Sequence, residues 1–466
     1  MERGSSELQR CDDLIIGTGQ AGKPLAGALA AAGRRVVVVE RGRVGGTCVV
    51  RGCTPSKTLA ASARVAYLAR RAADYGVMTG PVRVKMGTVR ARKRAIVNDA
   101  IRGSRQGLEG HESLELICGE ARFVSDRTVR IEAPGAPPRR VRADRIFLNT
   151  GARPRIPEVP GLEEAGFLDS TSIMELGEVP DHLVVLGGGV VGLEFAQMFR
   201  RFGADVTIVD KAPRLMSRED DDVSDGIVEI LRDDGILVLL GVSATRVDRD
   251  AHGRVRVQLE GRAGSVSGSH ILIAAGRVPN TEALNLEATG LGVDAEGFVP
   301  VNDRLETGAP GIWAMGDVAG SPPSTHMAYD DFRIVRENLL GEGGASTGGR
   351  VATYTVYLDP ELGRVGLTAR EATEAGHRIR VAALPMSRVA RAVEMGETRG
   401  FMKAVVDADS NRILGASILG VNGGEVAAVV RVAMLGDLPC TALRDVPISH
   451  PALAESLNTL FGEFGD

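Results

Sequence analysis

Short apolar runs alternate with glycine-rich turns and helical segments near the start of the chain. Residues 14–16 predict a strand, which leads through a glycine-rich loop into an alanine-rich helix and then into a second strand over residues 36–39. In such a β-α-β unit, backbone N–H groups at the helix N-terminus can bind a pyrophosphate. An acidic residue at the end of the second strand can accept hydrogen bonds from the ribose hydroxyl groups. The pattern predicts a dinucleotide site formed by Gly17, Gly19, Gly22 and Glu40.

The same pattern recurs later in the chain, with every fingerprint residue shifted by the same number of positions. Residues 183–186 predict a strand, a second glycine-rich loop and helix follow, and the next strand ends on an acid. One such loop is a weak signal, but two complete units in identical register are hard to attribute to turn glycines. We therefore predict a second dinucleotide site formed by Gly187, Gly189, Gly192 and Asp210.

Turn-rich joints divide the chain into four predicted segments. Residues 149–154 close the first β-α-β region, residues 274–280 close the second, and the glycine-rich stretch 341–349 precedes a region with no third fingerprint. The predicted segments are a first dinucleotide-binding domain over 1–150, a second over 151–276, a segment over 277–346 that completes the first domain, and a C-terminal domain over 347–466. The fold class is α/β with two Rossmann-like domains.

Composition narrows the classes of partner. A length of 466 residues suggests about three domains, and 44% hydrophobic and 25% charged residues are typical of a soluble globular protein. A net charge of −4 provides no broad basic field, so we expect neither nucleic acid nor a membrane as partner. Residues 1–10 lack the apolar stretch of a signal peptide, which predicts a cytoplasmic protein acting on a small molecule.

The cysteines indicate a catalytic or metal-binding pair. Five Cys in a long chain of a reducing compartment do not make a structural scaffold, and only Cys48 and Cys53 lie close in sequence. In an ideal helix their Cα atoms would be about 8 Å apart, which is too far for a disulfide. A bridge needs a distorted turn, for which Gly46 and Gly52 supply freedom. The alternative, half of a zinc site, lacks a second ligand pair at zinc spacing.

The Cys-x-x-x-x-Cys-x-Pro-Ser-Lys segment after the first fingerprint resembles the flavoprotein disulfide reductases, a family that includes dihydrolipoamide dehydrogenase, glutathione reductase and mercuric reductase. The resemblance covers nearly the whole chain. It implies an FAD-dependent NAD(P)H oxidoreductase with FAD in the first fingerprint, NAD(P)H in the second, and a C-terminal α+β dimerisation domain. It also implies that Cys48 exchanges with substrate and that Cys53 lies against the flavin as a charge-transfer thiolate.

The same resemblance implies roles for further residues. Lys57 is expected to approach the flavin N5 and to pair with Glu194, which would stabilise a reduced flavin. Asp317 is expected to bind the ribityl or pyrophosphate region, and His326 to line the pyrimidine edge. The remaining predicted cofactor contacts are Gly46, Thr47, Thr150, Gly151 and Gly276.

A His-Pro pair near the C-terminus completes the predicted site. His450 precedes a helical segment with an apolar face, and Glu455 follows it by five residues. In the family, a His and a Glu at this spacing supply the acid/base for the interchange thiol. They act across a homodimer, so that each subunit completes the active site of the other.

The sequence does not determine the substrate. The chain has no C-terminal Cys pair of the mercuric reductase kind, and it has Gly27 where glutathione reductases have Arg. Residues 329–336 resemble the mercuric-reductase-like branch that includes copper-reducing, chlorine-stress flavoproteins. Three alternatives remain: reduction of a small disulfide, reduction of a thiol-captured metal ion such as Hg(II) or Cu(II), and oxidation of a dithiol. A flavin-binding subunit without turnover is disfavoured by the intact Cys48, Cys53 and His450.

The sequence also bears on the nicotinamide donor and on the remaining cysteines. Asp210 favours NADH, because an acid there accepts from the ribose 2′-OH and repels a 2′-phosphate, although Lys211 and Arg214 follow it and could bind a phosphate. The other three cysteines are expected to be small buried hydrophobic residues, and one of them, near the His450 segment, could assist a metal. They are Cys11, Cys118 and Cys440.

Overall fold

The computed structural model describes residues 8–261 and 264–465. Most of the predicted polar N-terminus lies outside the described residues. The first strand, over Leu8–Ile16, starts earlier than predicted, because polar side chains at its start have partners: Gln9 Nε2 donates to Glu115 Oε2 at 2.7 Å.

The strands, in chain order, are β1 (Leu8–Ile16), β2 (Val36–Glu40), β3 (Leu114–Cys118), β4 (Glu120–Ser125), β5 (Thr128–Glu132), β6 (Arg139–Leu148), β7 (Ala152–Pro154), β8 (His182–Leu186), β9 (Asp205–Asp210), β10 (Leu237–Leu240), β11 (Ala244–Arg249), β12 (Val255–Leu259), β13 (Ser265–Gly268), β14 (His270–Ile273), β15 (Arg277–Pro279), β16 (Ile312–Ala314), β17 (Thr353–Val356), β18 (Glu361–Gly366), β19 (Ile379–Pro385), β20 (Phe401–Asp407) and β21 (Ile413–Gly420).

The α-helices alternate with these strands, and short 3₁₀ turns connect several of them. The helices are α1 (Gly22–Ala31), α2 (Gly46–Arg51), α3 (Cys53–Arg70), α4 (Met86–Glu109), α5 (Leu162–Ala165), α6 (Val190–Phe202), α7 (Asp221–Asp233), α8 (Thr325–Leu340), α9 (Ala369–Glu374), α10 (Ala390–Glu394), α11 (Gly423–Leu435), α12 (Cys440–Asp445) and α13 (Ser456–Gly462).

The chain forms two compact units, and the first contains residues 1–58, 88–155 and 276–350. Its described part holds a seven-stranded sheet in the order β3-β2-β1-β6-β5-β4, with β16 also paired to β6. Strands β3, β2, β1, β6 and β16 are parallel. Alternate residues of β1 and β2 enter two separate cores on opposite faces, which explains why both strands are apolar without interruption. The carboxyl ends of these strands therefore meet along one edge, where ligands bind in such sheets.

The second unit contains residues 59–87, 156–275 and 351–466. Its described part has a parallel sheet in the order β10-β9-β8-β14, an antiparallel sheet of β11, β12 and β13, and a five-stranded antiparallel sheet in the order β17-β18-β21-β20-β19. Helices α11, α12 and α13 share a core with the five-stranded sheet, through residues such as Ile418, Val430 and Phe461. The mixed α/β fold class is confirmed, whereas the four predicted domain boundaries stay predictions.

The structure changes one expectation about the cysteines. Cys11 and Cys440 are buried, as expected, but Cys118 is exposed, so the prediction for it was wrong. Cys118 is the last residue of β3, which is the edge strand of its sheet. Edge positions leave side chains uncovered, and a sequence pattern does not show which strand forms the edge.

A buried acid in the second unit leads to a prediction about stability. The Glu219 side chain is fully buried, and its carboxylate lies 3.2 Å from Arg364 Nε without a well-formed hydrogen bond. Burial raises the pKa of Glu219 from 4.5 to about 7, against the opposing charge of Arg364. The stabilisation from the neutral acid is thus complete below pH 4.5 and is lost as the pH rises through 7.

We expect Glu219→Gln to remove this pH dependence. Between pH 5 and 8, the free energy of unfolding of the wild type should fall by about 2 kcal/mol more than that of the variant. Urea unfolding at the two pH values, followed by circular dichroism, measures the difference. Glu229→Gln, which changes an exposed acid of the neighbouring helix α7, is the control. An identical pH dependence in Glu219→Gln and the wild type would contradict the prediction.

Candidate functional site

The first fingerprint loop packs so tightly that its glycines are required. A Cβ atom on Gly17 would lie 2.3 Å from the carbonyl oxygen of Asn149, and one on Gly22 would lie 2.4 Å from the carbonyl oxygen of Gly17. A Cβ on Gly19 would lie 2.5 Å from the Asn149 side-chain oxygen. Gly17 also has a φ of +104°, which side-chain-bearing residues rarely adopt. The loop therefore brings the backbone of β1 directly against the end of β6.

The predicted ribose-binding acid is held in a fixed orientation. Glu40 Oε2 accepts from the Thr18 backbone N–H at 3.0 Å and from the Thr18 hydroxyl at 2.6 Å. The other oxygen of Glu40 accepts from Gly42 N–H at 2.8 Å. Thr18, which the sequence analysis did not single out, also accepts from Gly45 N–H at 3.0 Å. One hydroxyl thus links the fingerprint, the predicted ribose acid and the loop that precedes the cysteines.

Both fingerprint helices begin in a way that suits an anionic ligand. In the described structure, neither α1 nor α6 has a side-chain N-cap or an acid in its first turn. Backbone N–H groups at such an end, together with the helix dipole, bind pyrophosphate well. Gly22 N–H is an exception, because Asn149 Oδ1 accepts from it at 2.9 Å. Asn149 also donates to the Met315 carbonyl at 2.8 Å, which connects the loop after β6 to the end of β16.

The second fingerprint repeats this close packing. A Cβ on Gly187 would lie 2.4 Å from the Ala274 carbonyl oxygen, and one on Gly192 only 1.9 Å from the Gly187 carbonyl oxygen. By contrast, Gly189 has open space on its Cβ side, which leaves room for a ligand. Asp210 at the end of β9 accepts from Ala212 N–H at 2.7 Å and from Gly188 N–H. The two sites therefore share a construction in which an acid holds the glycine loop.

The redox pair lies directly beside the first fingerprint. A Cβ on Gly46 would be 2.5 Å from the Gly19 Cα, so the first turn of α2, with Thr47 and Cys48, packs on the fingerprint loop. Helix α2 ends at Arg51 and α3 begins at Cys53, so Gly52 separates two helices where one regular helix would keep the cysteines apart. The local break in helical geometry that the spacing required is present.

Both cysteines are free thiols in the structure, and they are hydrogen-bonded to each other. A disulfide between them stays a prediction. The contact with Cys53 and burial both raise the pKa of the Cys48 thiol, while a hydrogen bond from Thr325 opposes them. Thr325 Oγ1 lies 3.2 Å from Cys53 Sγ. This threonine, at the start of α8, contacts both thiols and was missed by the sequence analysis.

The second predicted FAD segment approaches the same region. Asp317 lies in a 3₁₀ turn after β16, and Arg277 Nε lies 3.8 Å from its carboxylate. Burial raises the pKa of Asp317, and the Arg277 charge opposes this shift. Arg277, which the sequence analysis treated only as part of a joint, also experiences the charge of Cys53. His326 lies in the first turn of α8, 3.2 Å from the Ser324 hydroxyl.

Three further predicted cofactor-binding residues lie in the turns that follow β6 and β14. The Thr150 hydroxyl donates to the Asn280 carbonyl at 2.8 Å, and the Asn280 side chain donates back to the Thr150 carbonyl at the same distance. Gly151 and Gly276 both have positive φ angles, and each has open space on its Cβ side. Gly276 belongs to the first unit, which is also the unit that contains the first fingerprint.

The acid/base pair has the geometry that its spacing suggested. His450 Nδ1 lies 2.9 Å from one oxygen of Glu455 and 3.0 Å from the other. The imidazole is exposed, and the glutamate is about one-third exposed. A carboxylate on Nδ1 fixes the tautomer and orientation of the ring, so that Nε2 on the opposite edge can exchange a proton. The following segment buries Leu457, Leu460 and Phe461, which anchors the pair to the core.

Lys57 and Glu194 belong to different units of the chain. Lys57 lies in the part of α3 that belongs to the first unit, and Glu194 lies on α6 in the second unit. Glu194 is buried and accepts from the Tyr357 backbone N–H at 2.9 Å. The pairing of Lys57 with Glu194 and the approach of Lys57 to the flavin N5 stay predictions.

The described residues contain neither a membrane-spanning helix nor a metal-binding cluster of side chains. No helix within 8–261 or 264–465 is long and apolar enough to cross a bilayer. In the same ranges, no three His, Cys, Asp or Glu side chains are grouped so that they could hold a metal ion.

Comparison with known proteins gives consistent matches along the chain. Residues 12–331 match the pyridine nucleotide-disulphide oxidoreductase family, and residues 352–461 match the dimerisation domain of that family. The chain is 40% identical over 460 residues to the probable pyridine nucleotide-disulfide oxidoreductase RclA of Escherichia coli, with 97% of this chain and 99% of the relative aligned. It is 33% identical over 447 residues to a mercuric reductase of Staphylococcus aureus, with 96% of this chain and 81% of the relative aligned.

A solved structure is also similar over its whole length. It is described as the Cu(II) complex of the HOCl-induced flavoprotein disulfide reductase RclA from Escherichia coli. It matches with a TM-score of 0.90 at 38% identity and covers 98% of this chain and 100% of that chain. These similarities extend over the fingerprints, the cysteine segment and the C-terminal domain together.

Proposed function

Since the chain belongs to the pyridine nucleotide-disulphide oxidoreductase family, we propose that it passes electrons from NAD(P)H through FAD to the Cys48–Cys53 pair and on to a small disulfide. Members of this family are FAD-dependent oxidoreductases that use NAD(P)H, and the match to the dimerisation domain supports a homodimer. The observation that carries the proposal is the position of Cys48, whose helix α2 packs directly on the first fingerprint loop.

The residues present fit both dinucleotides. The first site offers tightly packed glycines, an uncapped helix start and an oriented acid, and the second site repeats them. FAD, when bound, would accept a hydride equivalent from the nicotinamide and pass two electrons to the disulfide. The residues proposed to hold FAD are Gly17, Gly19, Gly22, Glu40, Gly46, Thr47, Thr150, Gly151, Gly276, Asp317 and His326. Those proposed to hold NAD(P)H are Gly187, Gly189, Gly192 and Asp210.

The chain's own residues would carry out a thiol–disulfide exchange. The Cys48 thiolate attacks one sulfur of the substrate, a new S–S bond forms as the substrate S–S bond breaks, and the leaving thiolate takes a proton. Cys53 then attacks Cys48, which releases the second substrate thiol and forms the Cys48–Cys53 disulfide. Two electrons and two protons thus move from the dithiol to the substrate. His450, oriented by Glu455 and supplied by the other subunit, is the proposed proton donor and acceptor, and Lys57 with Glu194 would stabilise the reduced flavin.

The proposal is tested by the colour of the half-reduced enzyme. Two-electron reduction of the wild type should give a long-wavelength charge-transfer band, because a Cys53 thiolate beside oxidised flavin donates electron density to it. Cys48→Ser should keep the band, and Cys53→Ser should lose it. Anaerobic titration with dithionite, followed by absorbance, measures both.

Exposed Cys118 provides the control for this test, because Cys118→Ser removes a thiol far along the sequence from the redox pair. It should leave the band unchanged. A band that survives in Cys53→Ser would reverse the roles of the two cysteines. The absence of any band and of NAD(P)H-driven flavin bleaching would favour a flavin-binding subunit without turnover.

The preferred nicotinamide is a second prediction. We expect NADH to give a kcat/KM about tenfold higher than NADPH, because Asp210 accepts from a 2′-OH and repels a 2′-phosphate. Arg214 could bind a 2′-phosphate instead, but it forms ion pairs with Asp225 and, at 3.5 Å, with Asp221. Because these acids already neutralise Arg214, the ion pairs support the preference for NADH. Steady-state kinetics with both donors measure the ratio. Arg214→Gln should leave it unchanged, and a higher kcat/KM with NADPH would show that the basic residues prevail.

A metal ion is the second candidate substrate. The relatives favour it: one solved structure is described as a Cu(II) complex, and other relatives are mercuric reductases. In this reaction one dithiol would reduce two Cu(II) ions to two Cu(I) ions and become a disulfide, with release of two protons. NADH-dependent formation of Cu(I), detected with a Cu(I)-specific chelator, tests it. Loss of this activity in Cys48→Ser separates enzymatic reduction from direct reduction by NADH.

A further inference from the structure

Lys23 lies in the first turn of α1, close to Cys48. Its backbone N–H donates to the Gly19 carbonyl at 3.1 Å, and Gly19 is the residue on which Gly46 packs. The starts of α1 and α2 are therefore adjacent. The contact with Cys53 and burial raise the pKa of Cys48, and the charge of the nearby Lys23 opposes this shift. The sequence analysis assigned no role to this lysine.

The ammonium group of Lys23 has a neutral partner. Its Nζ donates to the Ser104 hydroxyl of α4 at 3.1 Å, and no carboxylate of the described chain lies within ion-pair distance. The side chain is about half-buried, and burial lowers its pKa while Cys48 opposes the shift. A half-buried cation without a counter-ion is costly, because it has lost part of its hydration and gained no opposite charge. Such a group is suited to bind an anion.

The helix that Lys23 contacts is basic. The α4 sequence carries Arg90, Arg92, Lys93, Arg94, Arg102 and Arg105 against Asp99 and Glu109. Arg102 and Arg105 pair with those two acids within the helix. By its sequence, helix α4 has six basic and two acidic side chains, whereas the chain as a whole has a net charge of −4.

Contacts tie α4 to the region of the cysteines at three points. Lys23 of α1 reaches Ser104, as described, and Arg43, in the loop before α2, donates to Asn98. Arg92 donates to the carbonyl of Thr58 in α3 at 3.1 Å. A basic side chain takes part in each of these three contacts.

Building on the proposed function, we propose that the disulfide reduced at Cys48 carries negative charge and that Lys23 selects it. A disulfide bearing carboxylate or phosphate groups would otherwise be repelled by the attacking thiolate, and a fixed ammonium group offsets this repulsion. The same charge disfavours cationic disulfides. Arg43 and Arg92 would raise the encounter rate with an anionic substrate rather than contact the reacting sulfurs. Lys23 is in this sense a specificity residue, and the exchange chemistry stays with the cysteines.

The test compares three small disulfides of different charge as substrates of the holoenzyme. They are anionic dithiodipropionate, neutral bis-hydroxyethyl disulfide and cationic cystamine, with NADH oxidation measured at low and high salt. We expect kcat/KM for dithiodipropionate to exceed that for cystamine by roughly 30-fold at low salt and by less at high salt. Lys23→Gln should reduce the ratio to about 3-fold or less, and Lys23→Arg should preserve most of it. Arg246→Gln, which removes an exposed charge from β11 in the second unit, is the charge-matched control and should keep the wild-type ratio.

The alternative role for Lys23 is to bind the pyrophosphate of FAD. Flavin content and the rate of flavin reduction by NADH are therefore measured for each variant. Loss of FAD in Lys23→Gln with an unchanged substrate ratio would overturn the inference, as would equal kcat/KM values for all three disulfides in the wild type. Equal values refute the charge selection and leave the proposed function intact. If none of the three is reduced, both fail.

Discussion

Replacing His450 with alanine is expected to lower kcat for disulfide reduction about 10³-fold, while FAD content and flavin reduction by NADH stay at the wild-type level. The exchange at Cys48 needs a proton at the leaving sulfur, and no His occurs before His111 in the chain. Glu455 orients the His450 imidazole through Nδ1. Steady-state turnover and stopped-flow absorbance of the flavin separate the two half-reactions.

A second histidine–carboxylate pair provides the matched control. His377 Nδ1 lies 3.0 Å from Asp407 Oδ2 in the same unit, so His377→Ala removes a comparable pair that has no proposed role in exchange. It should keep wild-type turnover. Full activity in His450→Ala would leave metal reduction without an acid/base as the stronger function.

Mixing His450→Ala with Cys48→Ser tests whether the two residues come from different subunits. If subunits reassort at random, half of the dimers are mixed, and each mixed dimer has one intact combination of Cys48 and His450. About a quarter of the sites should then regain activity. If both residues acted within one subunit, every mixed dimer would be as inactive as its parents, and reassortment would restore nothing.

The double change Val432→Asp and Leu435→Asp is expected to produce monomers with turnover reduced as severely as in His450→Ala. These residues lie on α11, and they are 68% and 74% exposed in the single chain although the opposite face of the helix is buried in a core. The helix lies within the region that matches the family's dimerisation domain. Exposed apolar side chains at such a place indicate an interface, and burying two carboxylates there opposes association.

Analytical ultracentrifugation measures the oligomeric state, and circular dichroism checks that the fold is retained. Val293→Asp places the same charge at an exposed apolar position in the first unit, and this control should stay a dimer with normal turnover. Monomers of the double variant with normal turnover would contradict shared active sites. Dimers of the double variant would show that α11 does not form the interface.

The features that the sequence predicted well are those determined by local geometry. Gly17 and Gly187 need positive φ angles, and the fingerprint glycines leave no space for a Cβ, so residue type follows directly from backbone shape. His450 and Glu455 are five residues apart, and a short turn is enough to bring them together. The helix break at Gly52 was required by the length of a disulfide.

The missed residues act through contacts that only the folded chain creates. Thr325 is 272 positions from Cys53, and Asn149 is 166 positions from Met315. No periodic pattern marks a threonine or an asparagine for such a contact, because side chains of this type are equally common in turns. Lys23 was overlooked for a related reason: its importance comes from the cysteine, helix and hydroxyl that surround it.

The order of segments in the first unit has a consequence for how the protein is made. Strand β16 completes the seven-stranded sheet, and the Met315 carbonyl after it receives the hydrogen bond from Asn149. Residues 156–275, which belong to the second unit, are synthesised in between. During translation, the ribosome therefore releases the N-terminal strands long before the strand that finishes their sheet. Until β16 emerges, the nascent chain carries an unfinished sheet whose β6 edge is still unpaired on the side that β16 will occupy.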